Sequence, residues 1–229
     1  MKCSEICALI EQEYGTEYAC DWDNVGLLTG RSTKEVKKIL LSLDATDEVV
    51  RMAAEGGYDM LITHHPMLFS AIKRVTDQDM NGRRLLELIR NDISYYAMHT
   101  NYDTRGMADL AARLMGLTEC AVLEEVKDGE GIGRVGKLPH PMTLRECGEQ
   151  VKVAYGIPNV RLFGDPDTQV SLVGICPGAG KSTMPLALGF GCDVYITGDI
   201  DHHTGIDAVD QGMCIVDAGH YGVEHIFIE

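Results

Sequence analysis

Two apolar segments of this chain each run into a cluster of residues that could bind a metal. Residues 57–63 are followed by His64-His65-Pro66, and residues 191–197 are followed by Gly198-Asp199 and then His202-His203. Both segments share the pattern Gly-x-Asp-x-x-Ile-Thr, which predicts one structural unit used twice. The carboxyl end of a strand is where α/β proteins place their ligands. These clusters therefore favour a metal-dependent enzyme.

Further histidines and carboxylates follow other predicted strands. Six of the eight histidines and three carboxylates lie at or just beyond such ends: His64, His65, His99, His202, His203, His220, Asp103, Asp199 and Glu224. Imidazoles and carboxylates without thiolates suit Zn²⁺, Mn²⁺, Fe²⁺ or Co²⁺. Because a single catalytic zinc uses about three protein ligands, this surplus predicts a pair of divalent ions bridged by a carboxylate.

The adjacent histidines of the first cluster have an alternative, structural interpretation. His64 and His65 would point to opposite sides of an extended strand, because successive side chains alternate. Both can bind a metal only if the chain turns there, which Pro66 allows. Otherwise one of them is a hydrogen-bonded histidine of the core.

The remaining histidines also admit more than one role. His99 could bind metal or could orient Asp103 from outside the ligand set. His202 and His203 could cap the following helix or hold a substrate. His140 precedes a proline far from any predicted strand end, which is typical of a surface position.

Strands and helices alternate along the chain, which predicts an α/β fold with mostly parallel strands. In the first half we expect helices at residues 4–14 (capped by Ser4), 46–55 (opened by a Thr/Asp cap), 82–90 and 107–115. We expect strands at 38–43 (buried), 59–63 and 93–98, and a turn-rich loop at 21–30. In the second half we expect strands at residues 170–175, 194–197 and 213–216, helices at 183–188 and 205–211, and a last element from Gly222. The halves also align Tyr96 with Ile215, and His99-x-x-x-Asp103 with His220-x-x-x-Glu224.

Three segments are expected: residues 1–116 form the first α/β half, 117–169 a connection, and 170–229 the second half. Within the connection, residues 120–131 are an acidic link, followed by a strand (132–138), a helix (144–155) and a strand (160–164).

Composition limits the possible partners and compartment. The chain has 229 residues and a formal net charge of −15, which argues against binding nucleic acid through surface charge. No apolar run reaches the roughly 18 residues that a membrane helix needs. The eight cysteines form no Cys-x-x-Cys pair, and Cys176, Cys192 and Cys214 are expected to be buried. We therefore expect a cytoplasmic protein without membrane association.

A glycine-rich turn after a strand predicts an anion site at Gly180, Lys181 and Ser182. It lacks the spacing of a nucleotide-binding P-loop, because Ile175 stands where the first glycine is required. Pro177 also removes a backbone N–H.

The chain resembles the Nif-three-like family, often labelled GTP cyclohydrolase I type 2 homologues. The matching stretches span nearly the whole chain in order: Asp23-Asn24-Val25-Gly26-Leu27, Leu43-Asp44-Ala45-Thr46, residues 59–69, His99-Thr100-Asn101-Tyr102-Asp103, residues 197–203 and residues 216–224. The resemblance implies two metal ions held by His64, His65, Asp103, His220 and Glu224. It also implies two similar α/β halves, a compact form without an inserted domain, and a ring-shaped homohexamer.

These features favour a metal-dependent hydrolase that acts on a nucleotide or phosphoester-like anion, with His99, His203 and His202 as candidate catalytic groups. Asp199 is expected on the substrate side. The alternative is a non-catalytic metal-binding ring that acts as an interaction partner, metal chaperone or regulator. A ring that threads nucleic acid is disfavoured by the negative charge.

Overall fold

The computed structural model describes residues 1–228. It divides into two compact units, Met1–Tyr102 with Ile228, and Asp103–Phe227. The second unit thus begins before Gly116, and the three-segment organisation stays a prediction. Among the helices formed by residues 1–228, none has both the length and the apolar composition needed to cross a membrane.

The first unit is a four-stranded sheet flanked by helices. Its elements are α1 (Cys3–Glu13), a 3₁₀ turn (Thr16–Tyr18), β1 (Gly26–Thr29), β2 (Ile39–Ser42), α2 (Asp47–Glu55), β3 (Met60–Thr63), α3 (Met80–Arg90), β4 (Ser94–Ala97) and α4 (Thr100–Tyr102). The strand order is β1-β4-β3-β2. Strands β2, β3 and β4 are parallel, and β1 runs antiparallel to β4.

The helix that leads into β3 shows how the sequence sets these boundaries. The Thr46 hydroxyl accepts a hydrogen bond from the Val49 N–H and so caps α2. Val50 and Ala53 are buried on its inner side. The chain then turns at Gly57, with φ of +62°, and enters the fully buried strand β3. The predicted helix at residues 46–55 and its cap are both confirmed.

The second unit contains a six-stranded sheet. Its elements are a π-helical segment (Asp103–Met107), α5 (Ala108–Leu114), β5 (Thr118–Lys127), β6 (Glu130–Thr143), α6 (Leu144–Ala154), β7 (Arg161–Phe163), β8 (Gln169–Ala179), α7 (Met184–Gly189), β9 (Val194–Gly198), α8 (His202–Asp210), β10 (Cys214–Asp217), α9 (His220–Glu224) and a 3₁₀ turn (His225–Ile228). The strand order is β5-β6-β8-β9-β10-β7.

The predicted repeat is confirmed in atomic detail. Strand β3 lies between parallel neighbours β2 and β4, as β9 lies between β8 and β10, and each group has an antiparallel strand, β1 or β7, at its end. One carboxylate oxygen of Asp59 accepts the backbone N–H groups of Lys37 and Lys38. Asp193 does the same for Ser171 and Leu172. The Gly-x-Asp pattern therefore encodes a hydrogen-bonded junction with the preceding strand.

The alignment of the strand exits was wrong by one residue. Ile62 pairs with Tyr96 and Ile196 pairs with Val216, so Tyr96 matches Val216 rather than Ile215. His99 accordingly matches Gly219 and not His220. The two His-x-x-x-acid motifs are therefore offset by one position in the repeat.

Several predicted elements differ from the structure. Residues 21–30 contain strand β1, and the acidic link at 120–131 lies mostly in strand β5. Strand β1 pairs antiparallel with β4, which is distant in sequence, and β5 pairs antiparallel with β6 across a turn. Alternation is weak in β5, which is mostly exposed, so the sequence pattern did not reveal it.

Other differences concern helix starts and exposure. Helix α1 begins at Cys3, because the Glu5 carboxylate accepts the Lys2 N–H, and Ser4 lies inside the first turn. Helix α8 begins at His202 and not at Gly205. Strand β2 is at the sheet edge and alternates between exposed and half-buried residues, although it was expected to be buried. Cys176, Cys192 and Cys214 are buried as expected.

Candidate metal centre

Three imidazoles of the first unit come together beyond strands β3 and β4. The rings of His64 and His65 lie 4.9 Å apart, and His99 lies 5.1 Å from His64 and 5.6 Å from His65, measured between ring centroids. One ring nitrogen from each lies within 4.8 Å of the others, a spacing that could hold a metal ion. The adjacent pair is gathered because β3 ends at Thr63, whose hydroxyl donates to the His65 carbonyl.

Each of these rings is oriented through its Nδ1 atom. Nδ1 of His64 lies 3.0 Å from the carbonyl oxygen of Met98. A carbonyl can only accept, so this nitrogen carries the proton, and in the neutral ring Nε2 carries the lone pair. Nδ1 of His65 lies 2.9 Å from the carboxylate of Asp44. Fixing Nδ1 in this way is the usual arrangement of metal-binding histidines, so the donor set of this unit fits a divalent ion.

His99 is held by the buried carboxylate of Asp23. Asp23 has a fully buried side chain, and both of its oxygens lie 3.0 Å from Nδ1 of His99. Thr100 adds hydrogen bonds from its N–H and its hydroxyl. Burial opposes ionisation of Asp23, but the hydrogen bonds from His99 and Thr100 outweigh it and lower the pKa of Asp23 to about 2.

In the second unit, His220 and Glu224 form one turn of helix α9. Nε2 of His220 lies 3.0 Å from Glu224, whose side chain is almost fully buried, and Nδ1 lies 2.9 Å from Asp199. The hydrogen bond to Glu224, reinforced by its charge and by Asp199, outweighs burial and raises the pKa of His220 to about 9. A metal ion at Nε2 would have to displace the proton that this raised pKa keeps on the ring, and the carboxylates of Glu224 and Asp199 would then balance the charge of the ion.

The backbone around His220 is fixed by two close contacts. A Cβ atom on Gly198, at the end of β9, would lie 2.5 Å from the His220 nitrogen. Only glycine lets the strand approach the start of α9 so closely. The buried Asp217 accepts the Gly219 N–H at 2.9 Å. Glu224 is backed in the same way by Gly178, whose added Cβ would lie 2.3 Å from a carboxylate oxygen.

Asp103 begins the π-helical segment of the second unit and is half-buried. Such segments are rare and are frequent at functional sites. The helix here had been predicted only from Met107. The assignment of Asp103 as a metal ligand stays a prediction. The same holds for the other four expected ligands: His64, His65, His220 and Glu224.

The glycine-rich turn of the second unit is tied to the strand beside it. The Gly180 N–H donates to the Thr197 hydroxyl at 2.9 Å, and Tyr195 donates to the Gly180 carbonyl. Lys181 pairs with Asp201 at 2.6 Å. Asp201 in turn caps α8 through the Thr204 N–H. An anion at this turn would therefore have to compete with Asp201 for the lysine.

His202 and His203 open helix α8 and are both exposed, with their rings 5.3 Å apart and edge to face. The structure thus leaves them accessible to a ligand, and their catalytic assignment stays a prediction. His140 is exposed as expected.

The sequence did not reveal the residues that orient the rings. Asp44, Asp23 and Asp199 had been noted as parts of motifs, yet none had been assigned to a histidine. Asp199, expected on the substrate side, contacts Nδ1 of His220. A signal existed for two of them, because Asp44 and Asp199 each follow a strand end by one or two residues.

Comparison with known proteins agrees with this description. A protein from Clostridium perfringens described as a GTP cyclohydrolase 1 type 2 homolog is 35% identical over 228 residues, which cover 98% of this chain and 87% of the relative. The solved structure of a Bacillus cereus protein related to NIF3 has a TM-score of 0.92 and 25% identity, covering 97% of this chain and 89% of the other. Reduced HcgD from Methanocaldococcus jannaschii has a TM-score of 0.87 and 32% identity, covering 100% and 90%.

These likenesses extend over both α/β halves, and the chain carries no inserted domain. The model of the family described as Duf34/NIF3 (NGG1p interacting factor 3) matches residues 1–229. The chain therefore belongs to the Duf34/NIF3 family.

Proposed function

We propose that this protein is a metal-dependent hydrolase of a small anionic substrate, of the nucleotide or phosphoester type. The observation that carries the proposal is the set of three imidazoles, His64, His65 and His99, each with Nδ1 engaged by an acceptor of its own. In all three rings Nδ1 is engaged and Nε2 is the remaining nitrogen. Histidines with a purely structural role would not need to share this arrangement. The relatives' name, GTP cyclohydrolase 1 type 2 homolog, makes GTP the first substrate to test.

A pair of divalent ions, Zn²⁺, Fe²⁺, Mn²⁺ or Co²⁺, is the proposed cofactor. Its proposed ligands are His64, His65, Asp103, His220 and Glu224. Support comes from donor chemistry, since imidazole nitrogens and carboxylate oxygens suit these metals. When bound, such ions would lower the pKa of a water and polarise an anionic group.

The chain's own residues would then position the substrate and move protons. Asp23 holds Nδ1 of His99, so the opposite nitrogen is the one able to exchange a proton with a reacting group. His203 and His202 are proposed to serve the substrate side from the start of α8. Lys181, with Gly180 and Ser182, is proposed to meet an anionic group by exchanging its contact with Asp201.

A non-catalytic role is the second candidate, and the family description as an interacting factor favours it. In that case the protein would be a metal-binding ring that acts as an interaction partner, metal chaperone or regulator. We propose a homohexamer located in the cytoplasm for either role, and light scattering coupled to size exclusion tests the assembly.

The deciding experiment is metal analysis of protein purified without chelator, followed by a hydrolysis screen over GTP, other nucleotides and phosphoesters. We expect about two divalent ions per chain and turnover that is lost on chelation and restored by one of the four metals. Absence of tightly bound metal would overturn the whole proposal. Stoichiometric metal without any turnover across the screen would replace the hydrolase by the non-catalytic role.

A further inference from the structure

Two large aromatic side chains of the first unit are exposed beside the imidazoles. Trp22, the only tryptophan of the chain, is 59% exposed, and Phe69 is 52% exposed. Their ring centroids lie 5.7 Å apart, and the planes are tilted by 44°. Leaving this much apolar surface in water forgoes burial that stabilises most such side chains. Paired exposed aromatics of this kind mark binding surfaces rather than core.

The two loops that carry these rings are held in place by polar contacts. The side-chain amide of Asn24 donates to the carbonyl oxygen of Leu68, so the loop of Trp22 is joined directly to the residue before Phe69. Asp23, between Trp22 and Asn24, is anchored through its buried carboxylate to Thr100. The aromatic pair is therefore preorganised without being packed into a core, which lowers the entropy cost of ligand binding.

The pair also lies against the imidazole cluster. The ring of Trp22 is 6.0 Å from that of His99, and the ring of Phe69 is 6.5 Å from it, both nearly edge to face. His99 in turn lies 5.1 Å from His64. An apolar aromatic surface and a group of nitrogen donors thus adjoin within one unit.

We propose that Trp22 and Phe69 form a stacking platform for a planar heteroaromatic ring whose attached anionic group faces the imidazoles. The contact between the anionic group and the imidazoles rests on the proposed metal-dependent function, whereas the aromatic platform is an additional site. Stacking is tolerant of ring identity, because every nucleobase-like ring has a π face. The platform therefore selects for the presence of a planar ring, and it distinguishes nucleotides from simple sugar phosphates or phosphoesters.

The single tryptophan allows a direct measurement on the full-length, metal-loaded protein. The probes are AMP, which has ring and anion, ribose 5-phosphate, which has the anion alone, and adenosine, which has the ring alone. We expect AMP and adenosine to quench the fluorescence of Trp22, and ribose 5-phosphate to leave it unchanged. Free N-acetyltryptophanamide controls for absorption by the ring. Quenching equal to that control would overturn the platform.

Phe69→Ala should weaken AMP binding by about fivefold to a hundredfold, the range for loss of one stacking side chain. Calorimetry should find that Phe69→Ala and the wild-type protein bind ribose 5-phosphate with the same affinity. Phe190→Ala is the matched control, because Phe190 is 49% exposed and belongs to the second unit. Equal AMP affinity in Phe69→Ala and wild type would contradict the proposal.

Metal content and subunit association separate the remaining explanations. If the wild-type protein holds no metal, the metal-dependent function is wrong. If AMP then still quenches Trp22 and binds with the same affinity as adenosine, the platform is supported independently of the metal. If Phe69→Ala alters sedimentation but leaves AMP binding unchanged, the pair serves a contact between copies of the chain, and the proposal is wrong.

Discussion

The carboxylate of Asp23 is shielded from solvent and faces Nδ1 of His99 with both oxygens at 3.0 Å. A buried carboxylate is costly unless it is hydrogen-bonded, and here His99 and Thr100 satisfy it. The loop of residues 21–25 is thereby fixed to the end of strand β4. The same contact connects the stability of the first unit with the orientation of a candidate catalytic ring.

This contact predicts a pH-dependent loss of stability. The folded pKa of Asp23, about 2, is below the value of 3.8 for an unperturbed aspartate. Its contribution is therefore present above pH 3.8 and is lost as the pH falls towards 2. Asp23→Asn should lower the free energy of unfolding by about 2 kcal/mol near neutral pH, and the difference from wild type should shrink below pH 4.

Denaturant titrations of both proteins across that pH range would measure this difference. Metal should be absent throughout, so that only the carboxylate is compared. A difference that stays constant down to pH 2 would show that Asp23 contributes by shape and not by charge.

A second prediction concerns the glycine behind Glu224. Gly178 has φ of +79°, and a Cβ there would lie 2.3 Å from Oε1 of Glu224. Gly191 has nearly the same φ, +74°, but nothing within 4 Å. Alanine costs about 1–2 kcal/mol of backbone strain at either site. Gly178→Ala must additionally displace Glu224.

We expect both alanine variants to lose similar stability from the backbone, and only Gly178→Ala to lose metal. Metal analysis after dialysis, with thermal unfolding of the same samples, compares the two. Equal metal content in the two variants would remove Glu224 from the proposed ligands or show that it can move without consequence.

The third prediction tests the residues that orient the rings. Asp44 fixes His65 and Asp199 fixes His220, each through Nδ1 at 2.9 Å. Loss of such an outer partner typically weakens metal binding by about 10–100-fold. Asp44→Ala and Asp199→Ala should therefore weaken metal binding by this amount, while Asp210→Ala, at the far end of α8, should leave metal affinity unchanged. Competition with a chromophoric chelator gives the affinities, and wild-type values for both ring-facing variants would refute the role.

The sequence predicted the repeat well, because it is a local pattern. Residues 57–63 and 191–197 carry their strand, their turn and their junction aspartate within a few positions. The same locality explains the success with Thr46, whose cap acts three residues away. Features of this kind need no knowledge of the tertiary fold.

What the sequence could not supply were relations between distant segments. The pairing of β1 with β4 and the contact between Asp23 and His99 join residues about seventy positions apart. No periodicity encodes them. The sequence places Trp22 in a turn-rich loop but does not predict its position beside His99, because that position depends on how the loop is anchored.

The last prediction uses the repeat itself as an internal control. Asp59 and Asp193 each accept two backbone N–H groups, at 2.8 and 3.0 Å in the first half and at 2.9 and 2.8 Å in the second. Hydrogen bonds to a charged acceptor contribute about 1.5–3 kcal/mol each, and the partial exposure of both carboxylates reduces this contribution. Replacement of either residue by alanine should therefore cost roughly 1–3 kcal/mol, and the two costs should agree within about 0.5 kcal/mol, the usual error of such comparisons.

Chemical denaturation of Asp59→Ala and Asp193→Ala measures both values, with Asp210→Ala, an exposed position at the end of α8, as the reference for a neutral change. Agreement would mean that the shared Gly-x-Asp pattern specifies a junction of fixed energy wherever it occurs in the chain. A cost in only one half would mean that the surrounding sheet, four-stranded in one unit and six-stranded in the other, decides the strength of the junction. The pattern would then encode geometry alone.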